Sequence, residues 1–410
     1  MYQLVDYVTR EPRVAANLVF TGNNTPWEIV MDLNAIKNKL NLDYFRLIPP
    51  GISKYLAFMP INNAGNFISL TESATPLIRS KVLGKKLGLD LYFKVESKHA
   101  TGSFKDRGSA LEMAVAKEFS AKAMILASTG NMAASCACYA AAAKMPCYVL
   151  VPEGISLAKL AQVMAYGGHI VQIKGSYNDA AKLAYTIANQ MGFYLGGDYA
   201  YRVEGQKTAA FEIIDQLYFQ VPDTVIVPMG CGTNITAYAK GFAEYQQLGL
   251  INTLPRLVGV QAEGANAIVN SFQQKLKTIT PLANVNTCAT AIAVPDPIDG
   301  TKALNAIYST NGDAIAVSDE AILNARYLLA TEEGLFVESS AAATVAALMQ
   351  AAHEGKYTNK KVVCVLTGDG LKDTHMLLET SALLPTISAD VTEFLQLLNH
   401  AEKNHGSTTE

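Results

Sequence analysis

Lys105 is the residue with the clearest chemical potential, in the run Thr-Gly-Ser-Phe-Lys-Asp-Arg-Gly at 101–108. Gly102 and Gly108 bound a tight turn that can present the amine to a pocket. Burial disfavours the ammonium form of a lysine, and a neutral amine can attack an aldehyde to form a Schiff base. The alternative is a surface lysine paired with Asp106, which would be preferred for an isolated lysine.

A second polar segment follows the apolar run of 124–127, where Ser128, Thr129 and Asn131 precede an Ala-rich helical pattern. This order predicts a strand that enters a helix through a polar turn. The free N–H groups at a helix N-terminus suit a carboxylate or a phosphate. Ordinary N-capping by one of these three residues is the alternative.

Two more strand-like runs end in glycine-containing loops. The run of 224–229 precedes Gly230-Cys231-Gly232-Thr233-Asn234, whose glycines would let successive N–H groups approach a phosphate. The loop is neither a dinucleotide fingerprint nor a P-loop, and alone it is weak evidence. The run of 361–366 delivers Thr367, before Gly368 and Gly370, to the carboxyl end of a strand, where α/β sheets bind ligands. Turn chemistry explains this threonine equally well.

Together these segments resemble the threonine synthases. The shared motifs are Gly-Ser-Phe-Lys-Asp-Arg-Gly, Ser-Thr-Gly-Asn, Arg-Val-Glu-Gly-Gln-Lys-Thr at 202–208, the 230–234 loop, Glu-Glu-Gly-Leu-Phe-Val-Glu at 332–338 and Leu-Thr-Gly-Asp-Gly-Leu-Lys-Asp at 366–373. The resemblance extends from about residue 70 to about residue 380. It implies an α/β pyridoxal 5'-phosphate enzyme of fold type II, similar to tryptophan synthase β, with two lobes that each hold a mainly parallel sheet flanked by helices.

The resemblance also implies roles for the site residues. Lys105 would hold the cofactor and transfer the proton at the substrate Cα, and Asn131 and Thr367 would face the ring. The cofactor phosphate would be bound by Gly230, Cys231, Gly232, Thr233 and Asn234. Ser128 and Thr129 would bind the substrate carboxylate. Threonine synthases convert O-phospho-L-homoserine and water to L-threonine and phosphate, and Arg202 is the candidate for the leaving phosphate because a guanidinium fork matches phosphate oxygens. Lys207 is a second candidate, although a helix-surface lysine is at least as good an interpretation.

Three departures from the family stand out, two on the substrate side and one in the loop for the cofactor phosphate. Met132 stands where the family usually has a threonine, and Ser135 is the nearest residue that could supply the missing hydroxyl. The phosphate loop carries Cys231 in place of an asparagine. Gly196-Gly197-Asp198-Tyr199-Ala200 replaces Asn-Ser-x-Asn-Pro, and Asp198 would repel a phosphate unless it faces away.

These departures keep alternatives open. One is a lyase or β-replacement enzyme on another amino acid, such as a serine/threonine deaminase or a phosphoserine-using synthase. A binding protein that retains the fold is disfavoured by Lys105 and Asn131, and a Rossmann dehydrogenase by the glycine spacing.

Composition limits the partners. With 410 residues and a net charge of −3, the chain shows no basic stripe that would suit nucleic acid. No apolar run approaches the ~20 residues of a membrane span. The six cysteines lack zinc-site spacing, so reduced core thiols and no metal are expected, with Cys231 as a small filler of its loop. A cytoplasmic homodimer acting on an amino-acid substrate, itself phosphorylated, is the expectation.

Alternating strand-like and helix-like runs predict parallel sheets covered by helices. Helices are expected at 156–166, with Ser156 as cap, 177–191 and 319–333. The predicted organisation is an N-terminal arm without a zinc ribbon at 1–60, a large cofactor lobe at 61–105 and 211–385, a small mobile lobe at 106–210, and a C-terminal helix with a frayed tail at 386–410.

Overall fold

The computed structural model describes residues 2–15, 18–21, 26–38, 40, 44, 48–70, 74–155, 157–374 and 386–405. The chain divides into two compact units, Met1–Lys372 and Asp373–Glu410. The predicted cap Ser156 and the end of the predicted tail, 406–410, lie outside the described residues.

The strands alternate with helices along most of the first unit. They are β1 (Tyr2–Asp6), β2 (Trp27–Met31), β3 (Leu77–Arg79), β4 (Asp90–Val95), β5 (Met124–Ala127), β6 (Cys147–Pro152), β7 (His169–Ile173), β8 (Tyr194–Leu195), β9 (Thr224–Pro228), β10 (Arg256–Ala262), β11 (Asp313–Val317) and β12 (Lys361–Leu366). All of the strands expected from the apolar runs discussed above are therefore confirmed.

The α-helices are α1 (Leu33–Lys37), α2 (Leu83–Leu87), α3 (Lys105–Glu118), α4 (Asn131–Ala143), α5 (Leu157–Ala165), α6 (Tyr177–Met191), α7 (Ala200–Gln206), α8 (Thr208–Gln216), α9 (Thr233–Gln247), α10 (Ala267–Gln273), α11 (Gly300–Ser309), α12 (Asp319–Leu328), α13 (Ser339–His353) and, in the second unit, α14 (Val391–His405). A π-helical turn, Leu329–Glu333, continues α12 to the end of the predicted helix.

Three sheets organise the described residues. A six-stranded sheet has the order β11-β10-β9-β12-β4-β3 and is parallel except for the β3–β4 pair. A four-stranded parallel sheet has the order β7-β6-β5-β8, and β1 and β2 form an antiparallel pair. The predicted α/β class with parallel sheets flanked by helices is confirmed. The lobe boundaries and the mobility of the smaller lobe stay predictions.

Helices cover both faces of the inner strands, so β5 and β9 are buried along their whole length. α3 is buried from Asp106 to Ala116, and this position explains its small side chains. Gly108 on this helix is required by packing, because a Cβ there would lie 2.5 Å from Cγ of Arg202. The start of α3 is thereby held close to α7.

None of the helices in the described ranges is long and apolar enough to cross a bilayer. The same residues contain no group of His, Cys, Asp and Glu side chains that could hold a metal ion. All six cysteines are free thiols, and four of them are buried.

Candidate active site

The turn before α3 is closed by Asp106, whose carboxylate accepts hydrogen bonds from the amide and the hydroxyl of Thr101 at 2.8 and 2.5 Å. The amide of Phe104 donates to the carbonyl of Thr367 at 3.0 Å, which ties the turn to the end of β12. Because Asp106 is fully buried and bound to Thr101, the alternative of a surface Lys105 paired with Asp106 is wrong.

Lys105 instead meets Asp198. Its Nζ lies 3.0 and 3.3 Å from the two carboxylate oxygens, and the two side chains are 17% and 9% exposed. Burial opposes ionisation of the Asp198 carboxyl, but Lys105 and Arg202 outweigh it and hold the pKa of Asp198 below its ordinary value. Asp198 therefore faces the site, as an anion beside the amine.

The carboxylate of Glu338 joins two of the residues predicted to face the ring. Asn131 Nδ2 donates to it at 2.9 Å, and the hydroxyl of Thr367 donates to its other oxygen at 3.4 Å. Glu338 is buried, and a Cβ on Gly368 would lie 2.3 Å from its carboxyl carbon, so a larger residue there would displace this carboxylate. The sequence reasoning assigned Glu338 no role. Its only signal was its place as the last residue of the 332–338 motif.

The predicted phosphate loop ends at Gly232, whose φ of 87° is strained for any side chain, and α9 begins without a side-chain cap. The hydroxyl of Thr233 and Nδ2 of Asn234 are buried and have no hydrogen-bond partner among the described residues. Burying such groups unpaired is costly, and a phosphate at this helix N-terminus would satisfy them. The loop fits an anionic group. Cys231 is half-buried, and burial together with the nearby Asp198 carboxylate raises the pKa of its thiol.

α4 begins after Gly130, and no side chain caps it. The N-capping alternative for this segment is therefore wrong. The hydroxyl of Ser128 accepts from the amide of Gly130 at 3.5 Å, while Thr129 is half-buried. Met132 is half-buried and packs against the hydrophobic core.

Arg202 is completely buried. It donates to the carbonyl oxygens of Gly197 at 2.8 Å and Lys105 at 3.2 Å, and its remaining contacts are protein groups as well. These are the Glu112 carboxylate, Ser109 Oγ at 3.3 Å and Cys136 Sγ at 3.3 Å. The guanidinium predicted to bind the leaving phosphate is thus surrounded by protein partners.

The two other polar residues considered for the substrate are also enclosed. Lys207 is completely buried between Glu204 at 2.6 Å and Glu244 at 2.8 Å, so its interpretation as a helix-surface lysine is wrong and its contacts are structural. The hydroxyl of Ser135 is buried and donates to Ser109 at 2.8 Å, within the surroundings of Arg202.

A partly exposed amine, two polar side chains joined by one carboxylate and a loop whose buried donors lack partners among the described residues suit an enzyme that binds pyridoxal phosphate. The chain belongs to the family of pyridoxal-phosphate dependent enzymes, whose model matches residues 68–368. The cofactor is therefore pyridoxal 5'-phosphate, and the fold is fold type II.

Within that family the chain is similar to threonine synthases. It is 42% identical over 375 residues to the threonine synthase of Methanocaldococcus jannaschii, a match that covers 90% of this chain and 93% of that protein. It is also 42% identical over 344 residues to the threonine synthase of Bacillus sp. strain ULM1, covering 83% and 95%. The solved structure of the processed form of threonine deaminase isoform 2 from Solanum lycopersicum has a TM-score of 0.67 at 23% identity, with 91% and 99% covered, and shares the fold.

Proposed function

We propose that the chain is a threonine synthase, which converts O-phospho-L-homoserine and water to L-threonine and phosphate, with Lys105 as the residue that carries the cofactor. The observation that carries the proposal is the 42% identity to a threonine synthase over 90% of the chain. The surroundings of Lys105 support it, since they supply both a cofactor site and a proton-transferring amine.

Different residues of the candidate site would bind different parts of the cofactor. When bound, pyridoxal phosphate supplies an aldehyde for the lysine and a ring that draws electrons from the substrate Cα. The N–H groups of 230–234, with Thr233 Oγ1 and Asn234 Nδ2, would bind its phosphate, and Cys231 would fill the loop beside Asp198. Asn131, Thr367 and Glu338 would orient the ring.

On the substrate side, Lys105 Nζ would accept and return the proton at Cα. Ser128, Thr129 and the uncapped N-terminus of the 13-residue helix α4 would bind the substrate carboxylate, because a helix N-terminus favours negative charge. Arg202 would act indirectly, by fixing the backbone at Lys105 and Gly197. A phosphorylated substrate, a homodimeric assembly and a cytoplasmic location belong to this proposal and rest on the resemblance.

The enclosure of Arg202 favours a second candidate. Its N–H groups already donate to Glu112 and to other protein groups, and Met132 offers no hydroxyl to guide water at Cβ. A lyase that acts on unphosphorylated serine or threonine needs neither a free guanidinium to bind a leaving phosphate nor a hydroxyl to guide water. Incubation with O-phosphohomoserine, phosphoserine, serine and threonine, followed by assays of phosphate, ammonia, 2-oxoacid and threonine, separates the two. Threonine and phosphate from phosphohomoserine support the first candidate, whereas ammonia and 2-oxoacid from serine or threonine alone support the second.

The cofactor assignment is tested by Lys105→Ala. Loss of the covalent link and of the general base should lower activity by about a thousandfold or more. Borohydride reduction followed by peptide mass mapping should label Lys105 in the wild type and nothing in the variant. Lys117→Ala, at the other end of the same helix, should keep both label and activity. A label on another lysine would overturn the assignment.

A further inference from the structure

The carboxylate of Asp198 is nearly buried and interacts with two side chains of the candidate site. Its carboxylate lies 3.0 Å from Lys105 Nζ, and the thiol of Cys231 also interacts with it. Its exposure is 9%, so solvent screens the attraction little. The carboxylate is thus held in place by one contact from α3 and one from the loop before α9.

The loop that carries Asp198 is fixed without this carboxylate. The amide of Gly196 donates to the carbonyl of Ile125 at 2.9 Å, and the carbonyl of Gly197 accepts from Arg202 at 2.8 Å. The amide of Gly197 donates to Glu112 at 3.3 Å. Because other groups anchor the backbone immediately before Asp198, the charge of Asp198 is not needed to shape this part of the loop.

We propose that Asp198 is a positioning residue that stabilises the ammonium form of Lys105 during proton transfer at the substrate Cα. In this step the Cα–H bond breaks, the proton forms a new N–H bond on the neutral amine of Lys105, and the electron pair of the broken bond is drawn toward the cofactor ring. Asp198 stays ionised throughout and accepts a hydrogen bond from the ammonium, which lowers the energy of the proton-bearing state.

The charge of the site sets the conditions for this role. The groups that act electrostatically on Asp198 come from every element packed around it: Lys105, Glu112, Tyr177, Tyr199, Arg202 and Cys231. Lys105 is the group that gains the proton in this step, whereas burial raises the pKa of Cys231 and of both tyrosines and keeps them neutral. The effect of Asp198 should therefore be exerted through the amine.

The inference rests on the proposed function. It is tested with Asp198→Asn in the cofactor-loaded enzyme. The asparagine amide keeps the side-chain volume and one hydrogen-bond acceptor but lacks the negative charge. The kcat with the substrate identified in the product assay should fall about tenfold to a hundredfold, with KM changing by less than about threefold. The isotope effect on kcat with Cα-deuterated substrate should rise, since proton removal becomes slower relative to the other steps. Asp198→Glu should recover part of the rate.

A second readout needs no turnover. Apoprotein is mixed with pyridoxal phosphate across a pH series and reduced with borohydride, and the label on Lys105 is measured. Without the carboxylate the ammonium is less favoured, so labelling of Asp198→Asn should begin at lower pH than in the wild type. Asp90→Asn, which removes an aspartate from a surface ion pair with Arg79 at 2.7 Å, should leave both readouts unchanged.

The outcomes separate two failures. If Lys105 of the wild type is not labelled, the proposed function itself is wrong. If Lys105 is labelled but Asp198→Asn matches the wild type in pH profile and isotope effect, the role of Asp198 is overturned while the cofactor assignment stands. Should Asp198→Asn fail to fold, Asp198→Ala removes the same charge, and the same two measurements decide.

Discussion

Two completely buried arginines, Arg107 and Arg202, occupy clusters of different kinds. Arg107 makes two hydrogen bonds to Glu96 and two to Glu212, all between 2.6 and 2.8 Å, and Lys94 adds a second cation on Glu212. Two cations thus face two anions, and these four side chains are at most 1% exposed. A change of charge at any of the four would cost much free energy, because it would leave a buried partner with an uncompensated charge.

The cluster of Arg202 also holds two cations and two anions, namely Arg202 and Lys105 against Glu112 and Asp198. Here one cation is at the edge, since Lys105 is 17% exposed and is the residue expected to gain and lose a proton. The pKa values reflect the difference. Burial raises the pKa of both glutamates, and a neighbouring arginine lowers it. At Glu212 the attraction of Arg107 outweighs burial, and the pKa falls to about 2. At Glu112 burial outweighs the attraction of Arg202, and the pKa rises to about 7. In the enclosed cluster of Arg107 the charges are fixed, whereas the boundary cluster of Arg202 contains two groups that can change charge, Lys105 at its edge and the buried Glu112.

The largest effect is expected from breaking the enclosed cluster. Glu212→Gln leaves Arg107 and Lys94 sharing one carboxylate, and the free energy of unfolding should fall by about 3–5 kcal/mol. Urea unfolding followed by circular dichroism measures it. Asp90→Asn, in a surface ion pair, should cost at most about 1 kcal/mol and serves as control. Equal effects of the two substitutions would contradict the distinction between enclosed and surface charges.

Arg202→Gln should destabilise less, by about 1.5–3 kcal/mol, because Glu112 can take up a proton when its partner is lost. The unfolding energies of this variant, of Glu112→Gln and of the double variant form a cycle that isolates the pair. We expect the double variant to be less destabilised than the sum of the singles. If the two single changes in unfolding free energy add strictly, the Arg202–Glu112 ion pair contributes nothing to stability.

The same variant distinguishes positioning from phosphate binding. If Arg202 acts by fixing the backbone at Lys105, Arg202→Gln should lower kcat, and it should do so for any substrate that the enzyme accepts. A direct phosphate contact would instead raise KM for phosphorylated substrates alone. Kinetics on both kinds of substrate decide between the two.

Strands and helices could be predicted because their signals are local, while the role of Lys105 stays a prediction. Apolar runs define β5, β9 and β12, and the turn that carries Lys105 is contiguous in sequence. The partners of the charged residues could not be predicted, because they depend on packing between distant segments. Glu112 meets Arg202 across 90 positions, and Asp198 meets Lys105 across 93. A sequence shows that Arg202 and Lys207 are basic and does not show that carboxylates already enclose them.

Glu112 makes the boundary cluster sensitive to pH. Its pKa is raised by burial from an ordinary 4.5 to about 7, so between these values the folded state binds more protons than the unfolded state. Stability should therefore fall as pH rises through this window, the reverse of the behaviour expected from Glu212. Glu112→Gln should flatten the pH dependence of urea unfolding between about pH 4.5 and 7. An unchanged slope would show that Glu112 is ionised throughout.

The smallest effect concerns Met132, which is predicted to lie on the substrate side. Its thioether cannot donate the hydrogen bond that a threonine hydroxyl would offer. Ser135, the residue expected to compensate, is buried and donates to Ser109 at 2.8 Å, so the structure places its hydroxyl among the partners of Arg202. Water addition at Cβ should then be loosely controlled, and part of the substrate should leave as 2-oxobutyrate and ammonia.

Met132→Thr should accordingly raise the ratio of threonine to 2-oxobutyrate, measured by chromatography of the products from O-phosphohomoserine, with little change in stability because Met132 is only half-buried. Met132→Leu keeps the apolar volume without a hydroxyl and should leave the ratio as it is. If threonine is already the sole product of the wild type, the methionine is a packing substitution. Water addition at Cβ would then be controlled by a group other than residue 132 and Ser135.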